Sequence, residues 1–493
     1  MNWKDGLNFG VAKYQIIETN TFVPYVHSNW KATIPIKILR NFINQKPSNL
    51  VALLKITDNA TGKVIMRIKK LSRNGQSLIF SLEEEKNVKE PVIEVLDIKS
   101  EEECISRPNL SKLNKVIPTI AVLPSHTLSH SFPYKNYKKL TPLYIFEHEN
   151  NLYCKTRYGR KNLILKNEIT LDERLATAIG LYFAEGGKTA ASFTNSQPSM
   201  INPILDFIEE MTNVKRKDVS ASIYCHPSLA AKKKNLEDFW SATTGITRFS
   251  SNLHLSKNSR SPCGTLELKF CSKILKEFLC GLLKLAFNAP QLIEPKNLVR
   301  GISSAEASPI RQTKTFITHH ITLNKHNWKV EFDFINTFTS RLGIKICRVP
   351  ASLSKNSKQI HAVVYGNWST NLKLLLLDLY RFNVFNREKF AREFLSLPQT
   401  KLFMEFEEGD VITGREILHG KRISIFEKLG LLTSEQISPK PNKKYEIHFT
   451  EKGLKLKEAL KVFVHKTYPT YLRDVKRFYK TLQKFDLPVE MVR

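Results

Sequence analysis

The sequence predicts a multidomain α+β protein: a central core in which a helix–strands–helix–strand–helix unit occurs twice, a β-rich N-terminal module and a C-terminal winged helix-turn-helix. Three observations carry this. The chain has 493 residues, of which 42% are hydrophobic, more than one ordinary core holds and too apolar for wholesale disorder. The hydrophobic period changes along the chain, from short β-branched runs to alternating helical and strand patterns. A helix of small residues ending in a carboxylate also occurs twice, at corresponding places in the alternating region.

Residues 1–105 contain “KATIPIKIL”, “NLVALLKIT”, “KVIMRIKKL”, “SLIFSL” and “PVIEVLDI”, separated by polar turns such as “DNATGK” and “SRNGQS”. They predict a small barrel or sandwich, with no residue pattern that assigns it a role. Residues 106–165 carry Pro108, Pro118, Pro124, Pro133 and Pro142 and end in the basic stretch “CKTRYGRKNLILKNE”, so a linker or basic arm is expected. His126 and His130 in “SHTLSH” have i,i+4 spacing but lie among prolines, a poor frame for a helical metal site.

Residues 166–385 alternate helices and strands, in repeats of about 166–290 and 291–385. Thr170 and Glu173 fit a capping box at the start of the first helix. After it come “TAASFTNSQ”, the amphipathic “INPILDFIEEM”, the strand “GTLELKF” and the helix “SKILKEFLCGLLKLA”. The second round runs through “KNLVRGISSAEAS”, “KTFITHHITL”, “EFDFINTFTSRLG”, “IHAVVYG” and “NLKLLLLDLYRF”. A duplication is the economical explanation.

The stretch “LATAIGLYFAEGG” (175–187) places Ala176, Gly180 and Ala184 four apart and stops at Glu185. In the second unit Gly301 precedes Glu306 by five residues, with Ala305 between, as Gly180 precedes Glu185 with Ala184 between. The two acids are 121 residues apart (306 − 185), a plausible repeat length. Small residues let two helices approach backbone to backbone, so Gly180, Ala184, Gly301 and Ala305 are read as a helix seam. Both carboxylates then arrive at one end, where mutual repulsion favours a bridging divalent cation. “FLCGLLKLAFNAP” (278–290) has a similar glycine, but five residues beyond Gly281 stands Ala286, so it has no acid to offer.

These motifs resemble those of the LAGLIDADG homing endonucleases in their two-motif, single-chain form. “AIGLYFAEG” (178–186) matches at its glycine, small residue and acid; “VRGISSAEA” (299–307) departs by placing Ala307 where the family usually has glycine. The likeness covers roughly 165–385. It implies a duplicated αββαββα core whose motif helices form the seam, with Glu185 and Glu306 as catalytic metal ligands for Mg²⁺ or another divalent cation. It also implies antiparallel sheets that read DNA, and a basic residue near the site, for which Lys269 is the nearest match.

The charge agrees. Lys plus Arg number 76 against 46 Asp plus Glu, a net charge of +30, which calls for a polyanionic partner such as double-stranded DNA. In “TFITHHITL” the more polar face carries Phe316, Thr318, His320 and Thr322, which puts His320 toward a groove. In the C-terminal unit, 386–493, Arg415, Lys421 and Arg422 sit in or beside a helix pair, and Lys443 and Lys444 in the wing, as phosphate or base contacts. Seven scattered cysteines without a CxxC pair, no apolar stretch of membrane-spanning length and no secretion signal predict an intracellular, cytoplasmic monomer off the membrane. The function expected is site-specific DNA cleavage. The alternatives are a non-cleaving transcription regulator on the same fold, or an RNA-splicing maturase bound to intron RNA.

Overall fold

The computed structural model describes residues 15–16, 21–26, 31–35, 50–74, 77–100, 120–122, 143–149, 151–156, 162–166, 168–187, 190–270, 272–313, 316–324, 327–350, 360–413, 423–438 and 443–490. The architecture is mixed α+β, with several separate sheets.

The first sheet contains β1 (Gln15–Ile16), β2 (Thr21–Val23), β3 (Tyr25–Val26), β4 (Lys31–Pro35), β5 (Leu50–Asp58), β6 (Lys63–Asn74), β7 (Ser77–Ser81) and β8 (Pro91–Ser100). Their order is β1-β2-β8-β5-β6-β7-β4-β3. Alternate residues of these strands, among them Phe22, Ile34, Leu54, Phe80 and Val95, share one buried core, as a period of two requires. The opposite face, with Val51, Leu53 and Ile68, packs on Tyr144, Phe146 and Tyr153.

Those aromatic residues lie in the stretch expected to be a linker or arm. Beyond β9 (Ile120–Val122), β10 (Leu143–His148), β11 (Asn151–Thr156) and β12 (Leu163–Lys166) form an antiparallel sheet. β13 (Glu168–Thr170) pairs back onto β9. The three-stranded sheet is a filling between two units. Leu152, Cys154, Leu163 and Leu165 face the central core, while Tyr153 and Ile164 face the N-terminal sheet. Burial on both faces removes the polar alternation by which a strand announces itself.

The central unit begins with α1 (Glu173–Glu185), β14 (Ser192–Asn195), α2 (Pro198–Met211) and β15 (Ser220–Cys225). It continues through α3 (Lys233–Thr244), β16 (Arg248–Phe249), β17 (His254–Leu255), β18 (Thr265–Lys269) and α4 (Lys273–Asn288). A second run has α5 (Pro295–Glu306), β19 (Ala307–Thr313), β20 (Phe316–Leu323), α6 (Trp328–Arg341), β21 (Cys347–Pro350), β22 (Ile360–Gly366) and α7 (Trp368–Leu376). The second sheet has the order β19-β20-β22-β21. The first has β14-β18-β15-β16, and an isolated bridge from Gly186 to Phe193 adds one residue pair outside β14. Gly186–β14–β18–β15 therefore follows the same path as β19–β20–β22–β21, with α3, β16 and β17 inserted before β18. Helices cover one side of both sheets in one continuous core.

The C-terminal unit contains α8 (Val384–Leu395), α9 (Pro398–Glu405), β23 (Val411–Thr413), α10 (Ile423–Lys428), β24 (Leu432–Gln436), β25 (Lys444–Phe449), α11 (Glu451–Val462) and α12 (Tyr468–Lys484). Its sheet order is β23-β25-β24. The unit is fastened to the centre. Trp368 at the start of α7 packs on Phe403 and Phe426. Arg387 grips Asp378 through two hydrogen bonds of 2.7 and 2.6 Å, and its guanidinium lies 3.8 Å over the Tyr471 ring. Phe478 and Phe485 meet Phe239 of α3 edge-on. Among the described residues no helix is long and apolar enough to cross a membrane.

Candidate active site at the helix crossing

α1 starts at Asp172, whose carboxylate accepts hydrogen bonds from the backbone N–H groups of Arg174 and Leu175. The expected Thr170–Glu173 capping box is not formed, because Thr170 is held in β13 opposite Ile120. α5 starts in the same manner at Glu294, which accepts from Lys296 and Asn297, with Pro295 in the first helical position.

The two helices cross at their glycines. A methyl group on Gly180 would lie 2.2 Å from the Leu298 carbonyl oxygen; Gly301 Cα is 3.2 Å from the same point. A methyl group on Gly301 would lie 2.9 Å from both Thr177 O and Leu181 N. The contacts are reciprocal: each glycine meets the other and the residue three before it. Residues 383–386 fix the direction, since they bond Ser304 O and Ala307 O on either side of Glu306 and also Gln197, beside the Asn195 that holds Glu185, so both helices end on the same side. Glu185 and Glu306, each five residues past its glycine, therefore leave at the same end, about 7.5 Å beyond the crossing at 1.5 Å per residue. Both acids are half-buried, as are Ala184 and Ala305 on the turn between.

The chain leaves the two acids by different routes. After Glu185 it turns back at once. The Tyr182 hydroxyl donates to Gly187 O at 2.7 Å, and Gly187 N donates to Ser192 O. Side chains at Gly186 or Gly187 would collide with Tyr182 and Ser192, so both glycines are required by space. After Glu306 the chain runs straight into β19, and Ala307 is buried without a turn.

Amide side chains hold the surroundings of both acids. Asn195 Nδ2 donates to Glu185 Oε1 at 3.4 Å, and Asn195 Oδ1 accepts from Gln197 N. Gln197 Oε1 in turn accepts from Val384 N. On the other side Asn383 Nδ2 donates to Ser304 O and Asn386 Nδ2 to Ala307 O, each at 3.0 Å. Residues 383–386, where α8 begins, thus touch both helix ends. Sequence patterns missed these four amides; only Asn383, which caps α8, carries a readable signal.

Strand register extends each site sideways. Lys269 pairs with Ser192, itself opposite Gly187, so it lies two strands from the first acid’s exit, about 10 Å at ordinary strand spacing. In the neighbouring row Thr194, Glu267 and Ser222 continue the line of Glu185. Lys269 Nζ donates to Ser222 Oγ at 2.9 Å and pairs with Glu267 at 3.1 Å. Beside the second acid the corresponding row is Ser308, His320 and Val363, and Thr322 with His361 continues the line of Glu306. No lysine occupies the second site’s matching place.

His320 is half-buried, with Nε2 3.0 Å from Thr318 Oγ1 and its ring 5.6 Å from that of His361. Burial, then the neighbouring His361, holds its pKa below the ordinary imidazole value. Thr318, expected on the open face with His320, is buried beneath Gln312, whose Nε2 donates to it at 3.1 Å. In the C-terminal unit Lys443 is half-buried and Lys444 exposed at the start of β25. Arg415, Lys421, Arg422, His126 and His130 lie outside the described residues. Among the described residues no group of three or more His, Cys, Asp or Glu is placed to hold a metal ion; the candidate donors are the acid pair.

No family model matches the chain, and no curated protein matches it. Among solved structures similar to it is the crystal structure of an I-DmoI variant in complex with its target DNA, nicked in the coding strand, in the presence of manganese. The two have 16% sequence identity and a TM-score of 0.25, over 43% of this chain and 95% of that one.

Proposed function

We propose that this chain binds double-stranded DNA at specific sites and cleaves it with a divalent cation, Mg²⁺ or another, held by Glu185 and Glu306. The observation that carries this reading is the reciprocal crossing at Gly180 and Gly301, which delivers two carboxylates to one end of a parallel helix pair. Two carboxylates are hard oxygen donors suited to Mg²⁺, and a cation between them relieves their repulsion. When bound, the cation would neutralise charge on a phosphodiester and lower the pKa of a bound water.

The remaining work falls to the chain. Asn195 orients the Glu185 carboxylate. Lys269, steadied by Ser222 and Glu267, places a positive charge on the open face beside the first acid, in reach of a phosphate. Matching strand order on both sides of the crossing supports a duplicated core whose open faces, His320 included, lie along the major groove. The order α9, β23, α10, β24, β25, with β25 in the middle of its sheet, supports a winged helix-turn-helix in which Lys443 and Lys444 contact phosphates.

Glu185→Gln and Glu306→Gln test the reading, because an amide removes the charge and keeps the shape. Each variant is expected to lose Mg²⁺-dependent cleavage of a selected duplex at least hundredfold, with affinity held within a few-fold. Parent-like cutting by both variants would sink the acid assignment. Specific binding by a parent that never cuts would point instead to a non-cleaving regulator.

A further inference from the structure

α12 carries a stripe that the proposed site does not use. Arg473, Lys476, Arg477, Lys480 and Lys484 are all exposed. At 3.6 residues per turn they fall within an arc of about 100°, along a line of about 17 Å. The opposite side of the helix is fixed: Tyr471 and Leu482 are buried, and Phe478 packs on Phe239 and Phe385. The one acid within the helix, Asp474, lies off the stripe and faces Arg387 at 3.7 Å.

Lysines on two other helices of this protein are balanced by neighbours. On α3, Lys233 pairs with Glu237 and Lys234 with Asp238, each four residues on. On α11, Lys455 pairs with Glu451 and Lys461 with Glu458. Among the described residues, none of the five α12 cations has a carboxylate partner within 4 Å. An ordinary solvated helix face alternates its charges, as α3 and α11 do. A rigid row of uncompensated positive charge repels itself unless a polyanion lies along it.

We infer that this face of α12 is a contact surface for the phosphate backbone of duplex DNA, flanking the segment engaged at the helix crossing. The inference rests on the DNA-binding function proposed for the crossing. A straight cationic row on a docked helix suits a regular line of phosphates, and two of its five members are arginines, which bind phosphate through paired N–H groups. It reads no bases. Its contribution is affinity and register, equal on every sequence.

The test uses the full chain carrying Arg473→Gln, Lys476→Gln, Arg477→Gln, Lys480→Gln and Lys484→Gln, with binding to a 40-base-pair duplex titrated against salt. At about 0.9 per phosphate contact, the slope of log K against log salt is expected to fall by about three to four units. Affinity near 0.1 M salt is expected to drop at least a hundredfold. A parent that binds DNA with a slope the variant leaves unchanged would overturn the α12 inference alone. A parent that binds no DNA at all would overturn the DNA-binding function beneath it.

A second measurement needs no variant. In the parent, saturating duplex is expected to shield Lys476, Lys480 and Lys484 from acetylation, with Lys234 and Lys455 modified as before. Equal modification with and without DNA would overturn the inference. So would capture of the parent, and not the variant, by phosphatidylserine vesicles alongside an unchanged DNA slope.

Discussion

The two halves of the central unit meet at matching glycines and then diverge. After Glu185 the chain folds back through two glycines, and a lysine held by Ser222 and Glu267 stands two strands away. After Glu306 it runs on into a seven-residue strand, and the nearby polar groups are His320 and His361. The undersides differ as well. Beneath the first sheet the buried Phe193, Leu266, Leu268 and Ile223 are apolar. Beneath the second, His319 is fully buried between Tyr380, 2.7 Å from Nδ1, and Asn371, whose Oδ1 is 2.8 Å from Nε2. Backbone geometry at the crossing is shared, while the chemistry around it is set separately in each half.

The largest expected effect probes the shared part. Gly180→Leu drives a side chain into the Leu298 carbonyl, which cannot yield without moving α5, and should cost more than about 3 kcal/mol. Gly301→Leu meets backbone atoms of Thr177 and Leu181 at the longer distance of 2.9 Å and should cost less, about 2 kcal/mol. Denaturant unfolding measures both; equal losses would mean that the crossing is less asymmetric than its distances indicate.

A smaller effect separates the halves by pH. Asn371 Nδ2 donates to Gly366 O, so its Oδ1 accepts from His319 Nε2, and the Tyr380 hydroxyl donates to Nδ1. Both ring nitrogens are used by the neutral form, and burial pushes the His319 pKa down to about 4. The unfolded chain binds this proton near pH 6.5, so stability from neutral His319 is complete above that value. It falls as pH drops from 6.5 to about 4, by about 3 kcal/mol in all. Hydrogen exchange should show β20 and β22 opening before β14 and β18 on acidification, and His319→Gln should flatten the loss. Simultaneous opening of both sheets would contradict the comparison.

The smallest effect concerns the proposed wing. Lys443→Gln with Lys444→Gln should weaken binding alike on every duplex and lower the salt slope by about two units. An unaltered slope would remove β25 from the DNA contacts and leave recognition to the two central sheets.

Several elements were legible because pattern and burial coincide. β6 and β8 lie on β-branched runs, β5 on a continuous apolar run bounded by polar turns, and α2 and α4 show a helical period over more than three turns. The small-residue spacing around Gly180 and Gly301 was legible too, since few other needs place glycine inside an apolar helix. The sheet of β10 to β12 was not, because both of its faces are covered and prolines precede it. α3 was also missed, because its short lysine-rich start resembles a loop. The amides Asn195, Gln197, Asn383 and Asn386 lacked any period, since what places them is a meeting of α8 with both helix ends, which tertiary contact alone creates.

The glycine crossing also sets an order of events during synthesis. Its two halves are 121 residues apart in the chain, and closing a loop of that length adds entropy only as the logarithm of its size, so equilibrium scarcely notices. Time does. At roughly 5–20 residues per second, Gly180 is made about 6–24 s before Gly301. Once α1 emerges and until α5 follows, its bare stripe has no partner within its own chain, and another nascent copy offers the same stripe. A ribosome stalled before α5 would therefore release a half-protein with one self-complementary helix face open to pairing.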